Sequence, residues 1–523
     1  MRLTREFMLG RAAARDPAFD GVFLTCVRTT GIYCLPSCRA RAPRPENVEH
    51  ARSPDEARAR GFRPCLRCRP DDRWAGRDRD RDGLLRALDA VRARPGDFED
   101  VASFAAAAGV GATKLLQLCR EHLHRAPAAA LLDARLEAAR HGLASSRRTV
   151  LAIALDSGFA GSSAFHENFR ARFGTTPRGY RALLAADAFA LTLPEGHPVG
   201  RCFAYQLRDP ESLSERGDDR SLHLAARLDG RAAALSLQAR AGARPTVRVR
   251  VSMVDGRAPG AAAMRAAHRL VTRVLRLDLD PRPGERALAR DPRLRPLLRA
   301  ARGLRPWGTP TAFDCLLFAI LGQQVHLGFA HALRRGLTAR CGERAGDLQA
   351  PPDAAAVAAL DRADLLRLRS SGAKADAVLT AARAVATGAL DLDALARGAA
   401  ATAREQLVAL RGIGPWTAHY TMLRGLGFAD SLPVGDVVLA AEAQRVWELP
   451  ERPDTAALAA RSAPFAPHRG LLAFHLWRSA AARPAGAGAA TRRRGGRARG
   501  GGYRDPSWQP TSVAQDPIAM GRT

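Results

Sequence analysis

Two short-spaced cysteine pairs constrain the start of this chain more tightly than any other feature. Cys34-Leu-Pro-Ser-Cys38 is followed, after a long gap, by Cys65-Leu-Arg-Cys68. Four thiolates delivered by two tight turns can close a tetrahedron around a borderline-soft cation that favours sulfur, and Zn2+ is the ion that fits. A closed structural site is the ordinary use of such a cluster, and it stands beside a chemical one. Arg28, Arg39, Arg41, Arg63, Arg67 and Arg69 crowd the cysteines, a set able to draw a phosphate backbone up to metal-bound sulfur. The other cysteines, Cys26, Cys119, Cys202, Cys315 and Cys341, are scattered singly. That distribution describes buried free thiols and one metal site in a reducing compartment, and argues against a disulfide framework.

The rest of the chain must form further cores, because 523 residues exceed what one core can hold and three or four domains are expected. Hydrophobic residues make up 46% and the formal charge is +29, with a pI near 11.3. Such an excess points to a polyanionic partner, since basic side chains release counterions condensed on phosphates. Arginine far outnumbers lysine and alanine is abundant, so base composition is a second source of the charge. Residues 1–30 carry charges throughout, and no apolar run is long enough to span a bilayer. We expect a soluble cytoplasmic, nucleoid-associated protein with no membrane partner.

Composition shifts mark the boundaries. The cysteine segment ends near Trp74, and the run Arg77 to Asp82 reads as a linker. Residues 84–184 carry apolar residues at helical spacing. From about Leu191 to Val254 the pattern turns to alternation, clearest in Ala234-Leu-Ser-Leu-Gln-Ala-Arg and Thr246-Val-Arg-Val-Arg-Val-Ser, which predicts half-buried strands. Asp229-Gly230 predicts a hairpin turn. Ala262 to Ala482 reads as helical again, and the Gly-, Ala- and Arg-rich stretch after Arg483 reads as a disordered basic tail. The expected fold class is multidomain α+β. It comprises a small zinc-bound α+β domain (1–76), an all-α double helix-turn-helix domain (84–184), an antiparallel-sheet α+β domain (189–300), an all-α helix-hairpin-helix domain (301–482) and the tail (483–523).

Three resemblances follow from these residues. Val27-Arg-Thr-Thr-Gly-Ile-Tyr-Cys-Leu-Pro-Ser-Cys-Arg-Ala-Arg41, with Glu46-Asn-Val and Gly61-Phe-Arg-Pro-Cys-Leu-Arg-Cys68, resembles the Ada methylphosphotriester-repair domain. The resemblance implies that Cys34 is both zinc ligand and nucleophile, taking a methyl group from a methylated DNA phosphate, with Cys38, Cys65 and Cys68 as ligands only. Arg41 and Arg63 are its expected phosphate contacts. Methylation removes one negative charge facing the phosphates, which offers a route to tighter DNA binding. The run Ile153-Ala154, Gly158-Phe159, Ser163-Ala-Phe165, Phe169, Phe173-Gly174, Thr176-Pro177 and Tyr180-Arg181 resembles the second helix-turn-helix of AraC-type regulators. A plain helical bundle is the alternative. Gly158 would permit the turn, and the next helix would enter the major groove. Ala102, Gly109, Leu115, Leu118 and Arg120 fit a first unit. Ser162, His166, Asn168, Arg170 and Arg172 are the polar candidates for DNA contact, and promoter DNA and RNA polymerase are the partners that the resemblance implies.

In the C-terminal half, Leu410-Arg-Gly-Ile-Gly-Pro-Trp-Thr-Ala418 pairs glycines so that backbone N–H groups can approach a phosphate. Gly412 and Gly414 are the expected contacts. Such a hairpin alone is a sequence-independent clamp. Leu432-Pro-Val-Gly-Asp436, Phe318-Ala-Ile-Leu-Gly-Gln-Gln-Val325 and Leu472-Ala-Phe-His-Leu-Trp477 extend the match, which resembles the AlkA-type DNA-3-methyladenine glycosylase II of the helix-hairpin-helix superfamily. The resemblance implies Asp436 as catalytic carboxylate, although a helix N-cap is the everyday task of Asp after Gly. It places Trp416, Tyr420 and Trp477 around an extruded base, with core packing as their plain alternative, and Gln323 and Gln324 against the duplex. An electron-rich face would attract a cationic alkylated base. Bifunctional members carry a lysine where this chain has Trp416, so simple hydrolysis to an abasic site is expected. Departures are Gln324 at the intercalating position, and Val437 and Arg478 in place of aromatics near the pocket. No Pro-Cys-His-Arg stretch of a methylguanine-repair domain occurs. The rival classes are a transcription regulator with a non-catalytic C-terminal half and a structural zinc-binding DNA scaffold.

Overall fold

A computed structural model describes residues 3–16 and 19–482; the predicted basic tail, 483–523, lies outside them. The chain forms two units, one built from residues 1–88 and 105–111 and the other from 89–104 and 112 onward. The first contains a small four-stranded sheet in the order β3-β1-β2-β4, where β1 is Leu24–Val27, β2 Ile32–Cys34, β3 Val48–Ala51 and β4 Arg63–Pro64. Its core is slight, with Leu24, Cys26, Tyr33, Leu35, Ala51 and Ala57 buried together. A core of that size benefits from a metal.

In the second unit the regulator-like helices run Ala112–His122, Pro127–Ser145, Val150–Asp156, Ser162–Phe173 and Pro177–Leu183. Gly158 adopts φ +86°, and a Cβ there would sit 3.0 Å from both Arg135 Nε and Pro95 O. Only glycine fits that turn. The amphipathic helix Ser162–Phe173 buries Phe165, Phe169 and Phe173 on one face.

The alternating segment forms a five-stranded antiparallel sheet in the order β5-β9-β8-β7-β6. Here β5 is Ala188–Thr192, β6 Glu215–Gly217, β7 Ser221–Leu228, β8 Arg231–Arg240 and β9 Thr246–Met253. Asp229 and Gly230, both at positive φ, turn β7 into β8 as predicted for a hairpin with right-handed twist. The helix Val199–Gln206 interrupts a stretch read as strands. It buries Val199, Cys202, Phe203 and Tyr205, a helical spacing too short to outweigh the alternation around it. The sheet, the helix Ala261–Val274 and the regulator-like helices contribute to one apolar cluster that includes Phe165, Phe169, Phe173, Leu191, Val247 and Leu270.

The helical C-terminal half has two cores. One gathers residues from Ala312 to Phe428. The other joins Leu432 to Leu476 with Leu288 and Leu294, so helices expected to belong to the preceding domain pack with the end of the chain. Between them Trp416, Tyr420 and Trp477 meet Cys315, Phe318 and Ala319. Among the described residues no single helix is long and apolar enough to cross a membrane.

Candidate active sites

The cysteine site is made by a parallel strand pair. β2 and β4 run side by side with Tyr33 opposite Pro64, so the turns that follow each strand project together. Cys65 N–H donates to Tyr33 O at 3.0 Å, and Cys38 N–H closes its turn on Leu35 O at 3.1 Å. The four Sγ atoms of Cys34, Cys38, Cys65 and Cys68 all lie within 4.8 Å of one another, and none is in a disulfide. Tetrahedral zinc–thiolate bonds of about 2.3 Å require sulfurs this close, so the donor set fits Zn2+. Leu35 N–H also points at Cys68 Sγ, at 3.4 Å, as backbone donors do toward an anionic sulfur. Cys34 is half-buried. Arg39, Arg41, Arg63 and Arg67 are exposed around it, while Arg28 is engaged by Glu49 at 3.8 Å and Arg69 by Asp80 at 4.0 Å.

The second site sits where a hairpin meets a helix start. The helix Ala400–Ala409 and the helix Pro415–Thr421 flank the turn. Gly412 has φ +88°, and a Cβ there would stand 2.5 Å from Ala377 Cβ. Gly414, by contrast, faces open space, leaving room for a close-approaching backbone. Asp436 caps the helix Val437–Val446: its Oδ1 accepts from Val438 N at 2.9 Å and Leu439 N at 2.9 Å. Its Oδ2 accepts from Trp416 Nε1 at 3.0 Å. The same carboxylate is therefore both the cap of that helix and the acceptor of the Trp416 indole N–H. Trp416 stacks on Tyr420 with centroids 5.4 Å apart and planes at 26°, and Trp477 stands 6.0 Å from Tyr420. The predicted acid and the three predicted aromatics are brought together.

A DNA-3-methyladenine glycosylase of Bacillus subtilis (strain 168) is 30% identical over 206 residues, covering 39% of this chain and 68% of that relative. The chain belongs to the DNA-3-methyladenine glycosylase family. Ahead of the glycosylase part, a family model for the metal binding domain of Ada matches residues 9–71 and one for a helix-turn-helix domain matches 104–183. The bifunctional transcriptional activator/DNA repair enzyme Ada of Escherichia coli (strain K12) is 59% identical over 58 residues, 11% of this chain and 16% of its own. A probable bifunctional transcriptional activator/DNA repair enzyme AlkA of Mycobacterium tuberculosis is 29% identical over 485 residues, 89% of this chain and 94% of the relative. The chain is a fusion of Ada-type zinc and helix-turn-helix domains with an AlkA-type glycosylase.

Other predicted residues of the glycosylase fall in distinct places. Gln323 Nε2 donates to Gly412 O and Thr417 Oγ1, each at 2.9 Å, so it ties the hairpin to the end of the helix Ala312–Leu321. Gln324 is exposed and held at φ +54°, projecting from a left-handed turn. Val437, beside the acid, is 68% exposed, and Arg478 is half-buried. In the recognition-type helix Ser162 and Arg170 are exposed, and His166 Nδ1 lies 2.8 Å from Ser162 O. Arg172 is directed elsewhere, to Asp133 at 3.4 Å. Sequence reasoning passed over Arg424. Its place one helical turn after Tyr420 was the available signal, but the spacing gave no hint of its burial.

Proposed function

We propose that the C-terminal half hydrolyses the N-glycosidic bond of alkylated bases of the 3-methyladenine type, while Cys34 accepts a methyl group from DNA methylphosphotriesters and the helix-turn-helix units bind promoter DNA. The observation that carries the excision reading is Asp436 at hydrogen-bond distance from Trp416, which stacks on Tyr420 beside Trp477. With a base swung out against Trp416, Tyr420 and Trp477, the carboxylate stands where positive charge develops on the sugar and stabilises it. Water adds to C1′, and the bond pair leaves with the base nitrogen. A base already cationic departs readily and needs no strong general acid.

The reaction is assigned as hydrolysis without strand cleavage. The chain holds only two lysines, Lys114 and Lys374, and Lys374 Nζ is committed to Leu321 O at 2.7 Å and Gln323 O at 3.1 Å. Neither stands on the hairpin to form a Schiff base. Cys34, Cys38, Cys65 and Cys68 would hold Zn2+, which when bound would keep their sulfurs deprotonated at neutral pH. Cys34 sulfur then attacks the methyl carbon, the methyl C–O bond breaks, and the phosphodiester anion leaves. Arg41, Arg63 and their neighbours hold the backbone. Loss of one sulfur charge tightens DNA binding and turns methylation into a signal, with RNA polymerase as the downstream partner and the cytoplasmic nucleoid as the place.

The deciding experiment is base release from alkylated duplex DNA. Asp436→Asn keeps a good N-cap, so fold and binding should persist while release falls on the order of a hundredfold or more. Binding without release by the unsubstituted protein would instead favour a pure regulator. Mass spectrometry after exposure to methylphosphotriester DNA should show one added methyl on Cys34.

A further inference from the structure

Arg424 lies in the π-turn Met422–Leu426 that ends the hairpin helix, and its side chain is buried, with 2% of the residue exposed. Its Nε donates to Trp307 O at 3.0 Å and an Nη to Tyr420 Oη at 2.6 Å. The guanidinium also lies over Tyr205 at 4.8 Å and Tyr420 at 5.5 Å from the ring centroids. Among the described residues no carboxylate is within ion-pair distance of it. Glu137 and Asp278, which line a cavity together with Arg424, are engaged by Arg140 at 2.6 Å and Arg276 at 3.2 Å. A buried cation without a counter-ion is costly, and this one sits directly beneath the stack that ends on Asp436. The series Asp436, Trp416, Tyr420, Arg424 therefore runs from a carboxylate at one end to a buried guanidinium at the other.

We propose that Arg424 is a specificity-determining residue of the base pocket, a fixed floor charge that weakens capture of cationic bases and assists the departure of any base. The inference rests on the excision reading above. In cleavage the water oxygen bonds to C1′, the C1′–N bond breaks, and its electron pair goes to the base nitrogen. The water proton ends on a neutral lesion's departing base, or in solvent when the base was already cationic. In both cases the base gains negative charge and the sugar gains positive charge. A cation on the base side and an anion on the sugar side favour that displacement whatever the lesion's starting charge. Binding is different. A cationic base one ring away, on the order of 8 Å, at an effective dielectric of about 20, meets repulsion worth about tenfold or more in affinity, and a neutral base meets none.

The experiment uses the full chain and two duplexes, one with a single N7-methylguanine (cationic) and one with hypoxanthine (neutral), under single-turnover conditions. Arg424→Met should tighten half-saturation for the cationic lesion about tenfold and leave the neutral one within about twofold, while lowering the maximal rate for both. Arg424→Lys, which keeps the charge, should retain the wild-type ratio of half-saturations. A merely structural role would weaken both lesions alike, and that result, or a lysine variant behaving as Arg424→Met, overturns the proposal. Should Arg424→Met fail to fold, Arg424→Gln, which keeps a donor for Tyr420 Oη, takes its place: the cationic duplex should bind about tenfold more tightly than it does to the unsubstituted chain while the neutral one stays within about twofold, and an unmoved ratio overturns the proposal. Release of neither base by the wild-type protein would sink the excision reading and this inference with it. Release of both with an unmoved ratio sinks only the inference.

Discussion

At the scale of single residues, the site depends on groups that serve two masters. Asp436 divides its oxygens between a helix start and an indole N–H. The sequence showed the acid at a suitable distance from the glycine turn, and the N-cap and functional readings were posed as rivals; the structure shows the cap on one oxygen and leaves the other to the Trp416 indole, so the cap does not exclude the proposed role. Gly412 is similarly constrained twice, by φ +88° and by Ala377 at 2.5 Å from any added Cβ. Gly412→Ala is expected to destabilise by about 2–4 kcal/mol, from backbone strain and overpacking together. Urea titration would register this as a lower midpoint with an unchanged slope, and an unmoved midpoint would refute it. The part played by Arg424 was not legible beforehand, because it depends on what covers the side chain and not on what flanks it.

At the scale of elements, the zinc site shows how much two strands of two and three residues can achieve when paired in parallel. The cysteine spacing announced the ligand set. It did not announce the β2–β4 pairing that carries the two turns to the same place, since Arg63–Pro64 is too brief for any periodicity. With so few apolar residues beneath that sheet, removal of the metal should unfold it. Chelation is expected to make residues 1–76 protease-sensitive and to abolish methyl acceptance, while base release by the C-terminal half survives. Retained protection of that segment would show that the sheet stands without its ion. The strand region was legible in outline from alternation, and the turn at Asp229-Gly230 was legible in detail. The helix Val199–Gln206 was hidden because its apolar residues differ little from those of a strand over so short a run.

At the scale of the whole molecule, buried histidines set the acid limit of the second unit. Burial holds His268 down to about 4, and His197 and His475 to about 3. Unfolded imidazoles titrate near 6.5, so between those values the unfolded chain binds more protons. Stability is complete above pH 6.5 and declines as the pH falls toward 4, by on the order of 2 kcal/mol per histidine at pH 5. Thermal melts from pH 7 to pH 5 should show a falling midpoint, and a flat profile would contradict the burial.

The recognition-type helix also joins the sheet. His268 Nε2 donates to Phe173 O at 2.9 Å, and Thr192 N donates to Gly174 O at 2.7 Å. Phe173→Ala should cost roughly 3–5 kcal/mol and lower hydrogen-exchange protection in β5 as well as in its own helix. Protection lost from the helix alone would mean that the two fold separately.

A gene fusion usually leaves a hinge where the ancestral proteins were joined. Here the seam has been overgrown by a common interior, and the regulator's last turns now form part of the wall of the enzyme's neighbour. A truncation that tried to recover the DNA reader by itself would strip the covering from Phe173 and leave an adhesive surface, so dissecting this protein into working halves requires repainting that face with polar side chains first.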